Sequence, residues 1–547
     1  MTVLLLLFLA IGDAVAVSSV TANAGSGWPV LALLLICTYV VLRVYTRTFH
    51  RGPFLAKPAN PFEFHQVPAD RAGSLREEVR KSDDLKPHEA MIFAAAVVRP
   101  EQFRRRIVEE YTPGRRTLEK STTVDIDIPK RLVGKNNKEH VYLPVVINKK
   151  GDLLDDFHIY ESNSDETQWL SYRQYLSLTA EVLHVLLLSA HRLPRGTDLP
   201  VSTGEAELLA LQCIVHRHDT RSPAAPDFSG AEAIERLAVT NPGARDLAGL
   251  FVRQLSRNFA IVASVDGPVA KRHRFKYRLT LTPEVRLSGS AARRNRSPAG
   301  YLRLLVGARP VALHLDIANA ATCESYHLHV HAPDDLYLAR QETIGLDRVL
   351  LRQAEKAPTL PHCRFRRRLG QPHAHFYCRY LPALEDGERP LLRLRFFEVP
   401  PGTVMRATVT ALAAFAILWL VGYVNSRTAA PDTDAPAFLL AFPALAATWL
   451  GFDAPSRKLL EGTLSARVCL IASAVLSLVG SALFLLHKTA AEGYGWPRVP
   501  GGHSLLGVTD LGWAITVAVA LLNATRICYQ CFIRTGEYSY LLTKNVN

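Results

Sequence analysis

Long apolar stretches near the carboxyl end constrain this chain more than any other feature of its sequence. Four of them approach the roughly 20 residues that an α-helix needs to cross the hydrocarbon core of a bilayer: 407–424, 437–452, 468–486 and 505–524. A fifth stretch lies at 28–45, where Arg43 is close enough to one end for its long side chain to reach the headgroups. The chain is therefore predicted to be an integral membrane protein with a four-helix bundle at 403–547.

The first 24 residues allow two interpretations. An apolar run at 3–12 and the small residues at 22–24 resemble a cleaved signal peptide. The absence of Lys and Arg before the apolar run favours the alternative, a first membrane-spanning helix that pairs with 28–45 as a hairpin. Both interpretations place Trp28 outside and Tyr45 inside.

Lysine and arginine are distributed unequally between the two ends of the apolar stretches, and this distribution predicts their orientation. The basic loops and tail carry Arg47, Arg51, Lys57, Arg457, Lys458, Arg467, Arg526, Arg534 and Lys544. The loops on the opposite side carry Arg427, Lys488 and Arg498. The sequence therefore predicts a multi-pass plasma-membrane protein whose large middle region and short carboxyl-terminal tail lie in the cytoplasm.

The middle of the chain is polar and carries most of the formal net charge of +14. We expect a juxtamembrane linker and helices at 46–120, an α+β domain at 121–284 and a β-sandwich-like unit at 285–402. The fold class is thus membrane α-helical plus a cytoplasmic α+β domain that ends in a β-sandwich-like unit. Eight cysteines in 547 residues exclude a small disulfide-stapled fold, and free thiols are expected in a reducing cytoplasm.

Hydrophobic periodicity and turn residues predict the order of elements in this region. Residues 74–112 have helical patterns that break at Pro100. Next come strands at 123–128, 141–147 and 157–161, helices at 169–189, 204–218, 229–239 and 244–257, and strands at 258–265 and 274–282. From 301 to 398 the pattern is all strand, with six short strands that we interpret as the sandwich: 301–306, 311–317, 325–332, 335–339, 375–380 and 391–398.

The last of these strands ends close to the first carboxyl-terminal helix. In LLRLRFF, Leu392, Leu394 and Phe396 share the face that should pack into the sandwich, because side chains alternate along a strand. Pro400 and Pro401 follow and stiffen the connection by fixing φ. Movement of the sandwich is therefore predicted to be transmitted to the helix.

Three stretches in this order resemble uncharacterised actinobacterial multi-pass membrane proteins. They are YLPVVINKKGDLLDDFHIYES, KRHRFKYRLTL and ESYHLHVHAPDDL, the last preceding a late cluster of apolar helices. The resemblance covers about residues 120–425 and contains no catalytic motif. It implies a bacterial plasma-membrane setting and no particular activity.

Two groups of metal-binding residue types lie in the predicted sandwich. In YHLHVH, His327, His329 and His331 share one face of a strand. A second group downstream consists of His362, Cys363, His373, His375 and Cys378. Histidine and cysteine are ligands of protein zinc sites, so these eight residues are the candidate metal site. Their spacing matches no zinc-finger pattern, and we favour a strand whose solvent-facing side is histidine.

Three helices followed by the two strands at 258–282 have the order of a winged helix. The strands and their flank carry Lys271, Arg272, Arg274, Lys276 and Arg278, which attract the phosphates of nucleic acids. Anionic lipid headgroups attract the same side chains. For a domain tethered to a membrane we favour lipid, so the expected partners are the lipid bilayer and its anionic headgroups rather than nucleic acid.

Two acidic features complete the candidates. Asp125 and Asp127 form a DxD in an alternating strand, where a solvated polar face is favoured over a metal–diphosphate site. Asp510 lies within the last apolar stretch, and an acidic residue inside a membrane is a candidate functional group.

Well-known catalytic patterns are missing from the sequence: GxxxxGK[ST], GxGxxG, HExxH, GxSxG and the kinase motifs. The sequence therefore favours a non-enzymatic sensor, scaffold or regulator that uses no cofactor and acts through a protein partner or as a homo-oligomer. Two alternatives stay open, a metal-dependent enzyme that uses the His/Cys cluster and a membrane-tethered nucleic-acid-binding protein with a winged-helix-like segment.

Overall fold

The computed structural model describes residues 70–544, except 82–84, 115–116, 130–131, 133–137, 151–153, 162–168, 217–226, 269–271, 282–311, 333–334, 355–361, 367–368, 386–387, 428–434, 453–463, 490–503 and 505. The predicted signal peptide or helix at 1–24, the predicted span at 28–45 and the strand predicted at 301–306 lie outside the described residues.

The helices and strands are numbered here in chain order. The helices are α1 Asp70–Lys81, α2 Pro87–Val98, α3 Tyr172–His191, α4 Val201–Val215, α5 Ser229–Glu235, α6 Pro242–Arg257, α7 Leu346–Ala354, α8 Gly402–Asn425, α9 Ala435–Phe452, α10 Leu464–Thr489 and α11 Leu511–Lys544. The strands are β1 Arg104–Pro113, β2 Leu118–Ile126, β3 Lys138–Lys149, β4 Asp155–Glu161, β5 Asn258–Pro268, β6 His273–Leu281, β7 Ala312–Asp316, β8 Ser325–His331, β9 Leu336–Ile344, β10 His362–Arg366, β11 His373–Arg379 and β12 Leu391–Glu398.

A seven-stranded sheet in the order β10–β11–β8–β1–β2–β6–β4 organises the fold. Its neighbouring strands are antiparallel except for β1 and β8, which run parallel. The helical prediction for residues 104–112 is wrong, because this segment is β1, the central strand. Its buried side chains, Ile107, Glu109 and Tyr111, recur with the period of two that a strand requires.

The seven-stranded sheet takes strands from both sides of residue 285, where the sequence divides the α+β domain from the β-sandwich-like unit. Strands β8, β10 and β11 join it through β8 and β1. The other strands of the later region, β7, β12 and β9, form a separate three-stranded sheet in that order. The described part of the chain is thus a mixed α/β fold in which the two regions share one sheet.

The two strands at 258–282 do not form the hairpin that a winged helix requires, so that prediction is wrong. Strand β5 pairs with β3, whereas β6 pairs with β2 and β4 in the seven-stranded sheet. Pairing of β5 with β3, and of β6 with β2 and β4, is therefore favoured over a hairpin between β5 and β6, although only a short turn separates these two strands.

One hydrophobic core joins the three sheets. Its buried side chains come from the inner face of the seven-stranded sheet, the β3–β5 ribbon and the three-stranded sheet. Leu392, Leu394 and Phe396 of β12 are among them, which confirms the face predicted from LLRLRFF. Helices α2, α3 and α6 pack against the β3–β5 ribbon.

The long helix predicted at 169–189 is present as α3. Ser171 caps it, because its hydroxyl accepts from the Gln174 amide while the Gln174 side chain accepts from the Ser171 amide. Leu178, Val182 and Leu186, which lie on one face of this helix, are buried. Its buried face joins α3 to the neighbouring helices and to β5.

Three of the described helices are long and apolar enough to cross a membrane: Gly402–Asn425 in α8, Ser465–His487 in α10 and Leu511–Thr543 in α11. Helix α9 coincides with the second predicted span, 437–452, but has a shorter apolar run, Phe438–Ala447, and contains Pro443. Trp513 is buried among α8, α10 and α11, where Gly422 leaves room for its ring.

Asp510 lies directly before the last helix rather than inside it. Helix α11 begins at Leu511, and Asp510 Oδ1 accepts from the amides of Gly512 and Trp513 at 2.8 and 3.3 Å. These contacts satisfy amide groups that the first turn of a helix leaves unpaired. The carboxylate therefore caps α11.

Candidate functional site

The outer face of the seven-stranded sheet brings three of the predicted histidines together. His327 and His329 project from β8, and His375 projects from β11 directly opposite His329. The side chains are half-buried, and the donor nitrogens of all three lie within 4.8 Å of one another. We refer to His327, His329 and His375 as the histidine triad.

The rings of the triad lie nearly parallel. The centroids of His329 and His375 are 4.3 Å apart, and those of His327 and His375 are 5.7 Å apart. His327 Nδ1 lies 3.4 Å from His375 Nε2. Stacked neutral imidazoles with nitrogens this close can turn about their terminal torsions to face a common point, since such torsions have broad minima.

The surroundings of His327 and His329 favour uncharged rings. Burial lowers the pKa of His327 to about 4, and the positive charges of Arg106 and the neighbouring histidines act in the same direction. Burial also lowers the pKa of His329, against the opposing influence of Glu110. Neutral imidazole is the form that binds metal ions, because its ring nitrogen then carries a free lone pair.

The two cysteines of the predicted cluster lie on the other side of the sheet. Cys363 and Cys378 are directly opposite each other on β10 and β11, and their sulfurs are 2.6 Å apart. Cys378 is part of the hydrophobic core, and Cys363 packs against it. Because side chains alternate along a strand, these thiols cannot share a metal ion with His375. The expectation of one combined His/Cys site is therefore wrong.

The remaining histidines of the predicted cluster stand at the ends of the strands. His331 and His373 form an exposed cross-strand pair with their Nδ1 atoms 3.3 Å apart. His362 is exposed on β10, with its ring 6.3 Å from that of Tyr377. Neither arrangement supplies three ligands at one point among the described residues.

The predicted anion-binding residues are partly neutralised by the DxD aspartates. Arg274 contacts Asp125 at 2.6 Å, and Arg272 contacts Asp127 at 3.0 Å. Lys276 and Arg278 are exposed on the same face of β6. Lys271 lies outside the described residues. Asp125 and Asp127 therefore serve as ion-pair partners of Arg274 in β6 and of Arg272 just before it, and the free positive charge is smaller than the sequence suggests.

A second feature of functional interest is the joint between β12 and α8. Residues 399–401 alone separate Glu398 from Gly402. Glu398 Oε2 accepts from the Thr403 amide at 2.8 Å and from its hydroxyl at 2.5 Å. A carboxylate here satisfies an unpaired amide and interacts favourably with the helix dipole. The Val399 amide also donates to the Asp335 carbonyl at 2.9 Å, which links the joint to β9.

Helix α11 makes another contact between the helices and the three-stranded sheet, which sequence reasoning missed. Its 34 residues extend about 51 Å at 1.5 Å per residue, farther than a hydrocarbon core of about 30 Å. The Arg534 guanidinium lies 4.7 Å from the Phe397 ring centroid, and the rings of Tyr538 and Tyr337 are 4.8 Å apart. Residues 525–544, predicted as a tail, are therefore helical and help to hold the sheet.

The inner face of the seven-stranded sheet holds a charged network that sequence reasoning also missed. Glu109 is fully buried and accepts from Lys120 Nζ at 2.8 Å and Asn319 Nδ2 at 2.7 Å. The hydroxyls of Tyr111 and Tyr326 also donate to it, at 2.9 and 2.7 Å. Burial alone would raise the pKa of Glu109, but Lys120 and these hydrogen bonds outweigh burial and lower it.

Compared with models of known protein families and with curated protein sequences, the chain matches none.

Proposed function

We propose that this chain is a non-enzymatic membrane protein whose sheet-rich domain senses a ligand or partner and passes a change of position to its helices. The joint between β12 and α8 is the observation that carries this proposal. A flexible tether would suffice for anchoring, whereas a three-residue connection with a carboxylate cap limits independent movement.

The route from the sheet to the helices has two contacts. Strand β12 leads directly into α8, and the end of α11 packs on Phe397 and Tyr337 of the same three-stranded sheet. Since β9 and β12 are paired along their length, a displacement of the sheet acts on α8 and α11 together. This arrangement supports a regulator better than an anchored enzyme.

The helices themselves favour a lipid environment. Phe438, Phe442, Leu522 and Phe532 are each at least two-thirds exposed, with values of 67–79%. Large exposed apolar surface is unfavourable in water and normal against lipid. We propose that α8–α11 form the membrane part of a bacterial plasma-membrane protein, with the sheet-rich domain in the cytoplasm as the flanking lysines and arginines predict.

A linker insertion at the joint between β12 and α8 tests the proposal. We would insert about ten Gly/Ser residues after Pro401, which replaces the joint with a flexible coil, and compare the variant with the intact gene in complementing a deletion strain. The matched control places the same insertion within 217–226, between α4 and α5. We expect loss of complementation at the joint and retention at the control position. Full complementation by the joint variant would mean that the helices are only an anchor.

A metal-dependent enzyme is the second candidate, and the histidine triad favours it. Catalytic zinc sites keep three protein ligands and one open position. Turnover of a hydrolysable substrate that is lost together with the metal would support this candidate over the sensor.

A further inference from the structure

Three imidazoles on one face of a sheet meet the geometric requirement of a transition-metal site. Zinc–nitrogen distances of about 2.0–2.1 Å and tetrahedral angles place two ligand nitrogens about 3.3–3.4 Å apart. The observed separation of His327 Nδ1 from His375 Nε2 is 3.4 Å. The remaining separations, up to 4.8 Å, are short enough to close by rotation of the half-exposed rings together with a small shift of β11.

The strands fix the positions of these rings. His329 and His375 are register partners, and His327 is two residues from His329 on β8. Tyr326, Leu328 and Phe376, whose side chains alternate with those of the triad, are fully buried and anchor β8 and β11 in the core. The ligands are therefore held on rigid elements, which preserves the geometry of a binding site.

The strands beside the triad carry charges of both signs, and arginines outnumber acidic residues there, since Arg366 and Arg364 of β10 are register partners of His375 and Tyr377 on β11. Arg106 and Glu110 of β1 are register partners of Ser325 and His329 on β8, and both influence the triad electrostatically. A divalent cation would be repelled by Arg106 and attracted by Glu110. Binding therefore depends on the nitrogen ligands themselves.

We propose that His327, His329 and His375 bind one divalent transition-metal ion of the zinc class, with a fourth coordination position left to water or to an exogenous ligand. Nitrogen ligands select such ions over magnesium and calcium, which prefer oxygen. This metal ion is a candidate for the ligand that the sheet-rich domain senses. That role rests on the proposed function, whereas metal binding by the triad does not depend on it.

A path of direct contacts leads from the site to the helices. Gln341 Nε2 of β9 donates to the His375 carbonyl at 3.3 Å. Strand β9 pairs with β12, and Glu398 at the end of β12 caps α8. A shift of β11 on metal binding would therefore act on β9, β12 and α8 in turn.

The test is zinc binding by the full chain in lipid nanodiscs. Metal-free protein would be titrated with Zn²⁺ against a chromophoric chelator, and with Co²⁺ to record the absorption of a tetrahedral site. We expect one ion per chain, and at least about tenfold weaker binding in His329→Gln and in His375→Gln. The matched control is His158→Gln, an exposed histidine on β4 of the same sheet, which should bind as the wild type does.

The competing outcomes are separable. The proposal is overturned if the wild type binds no zinc, if both triad variants bind normally, or if Cys363→Ser abolishes binding. Circular dichroism of each variant identifies a loss caused by unfolding, and His327→Gln supplies an additional variant if one fails to fold. The joint-insertion variant should bind zinc normally, so failure of the metal site and failure of the sensor proposal give different results.

Discussion

The polar side chains on the two faces of the seven-stranded sheet differ in burial and in hydrogen bonding. On the inner face, Glu109 is enclosed and accepts from four donors, Lys120, Asn319, Tyr111 and Tyr326. On the outer face, the triad is half-buried and its nitrogens lie beside one another. A saturated network has no capacity for a ligand and serves the fold, whereas neutral imidazoles that face each other can accept a cation. The comparison separates a structural polar cluster from a functional one.

Removing the carboxylate from the inner face should have the largest effect on stability. In Glu109→Leu, the Lys120 ammonium and two tyrosine hydroxyls would be left without their acceptor, and we expect a loss of about 3–5 kcal/mol in the free energy of unfolding. Denaturant unfolding of the purified protein measures it. The double variant Glu109→Leu/Lys120→Met should recover most of the loss; a single variant within 1 kcal/mol of wild type would show that the network is not structural.

A surface cluster around Glu324, directly before β8, predicts a pH-dependent effect on stability. Hydrogen bonds from Arg379 and Arg105 lower the pKa of Glu324 to about 2 from 4.5. The contribution of ionised Glu324 to the free energy of unfolding is therefore complete above pH 4.5 and is lost as the pH falls towards 2. Glu324→Gln should cost about 1–2 kcal/mol at pH 7, a value reduced by solvent screening. The difference between variant and wild type should shrink below pH 4.5; a constant difference would contradict this assignment.

Loss of the cap at the joint should have a smaller effect. Glu398→Ala removes the acceptor of the Thr403 amide, and we expect about 1 kcal/mol of destabilisation. Hydrogen exchange should increase in the first turn of α8. Glu398→Gln keeps an acceptor oxygen and should lie between the alanine variant and wild type; unchanged exchange in Glu398→Ala would mean that the cap does not hold α8.

A substitution in the triad on the outer face should have the smallest effect on the free energy of unfolding when no metal is present. His327→Gln should change the free energy of unfolding by no more than about 0.5 kcal/mol, as expected of a surface substitution. Zinc at about 100 times its dissociation constant should stabilise the wild type by about 2.7 kcal/mol and the variant much less. Equal stabilisation of both proteins would show that zinc binds elsewhere.

Periodicity predicted most elements between 118 and 398, but it missed helix α7, which lies in a region predicted as all strand, and strand β10, and before that range it predicted a helix where β1 lies. In Arg104–Pro113, a buried glutamate occupies a core position, so apolar residues do not alternate regularly and the segment resembles a helix. The partner of Glu109 is Lys120 on the next strand, a contact that local patterns do not reveal. The strand assignments for β8 and β11 were correct because their apolar residues alternate without interruption.

The same reasoning explains the candidate site. Spacing by two residues placed His327 and His329 together, and this could be predicted from the sequence. The addition of His375 and the exclusion of Cys378 depend on the register between β8 and β11, which only the folded sheet supplies. The hairpin at 258–282 failed for a related reason, since each strand pairs with a distant segment.

Coupling between the sheet and the helices is the central claim, and a distance measurement tests it most directly. Spin labels would be introduced as unnatural amino acids at Lys276 on the sheet and at Leu412 on α8, both exposed, in protein reconstituted into nanodiscs. We predict one narrow distance distribution for the wild type, broadened by the Gly/Ser insertion after Pro401. A broad distribution in the wild type, or one that the insertion leaves unchanged, would contradict the coupling.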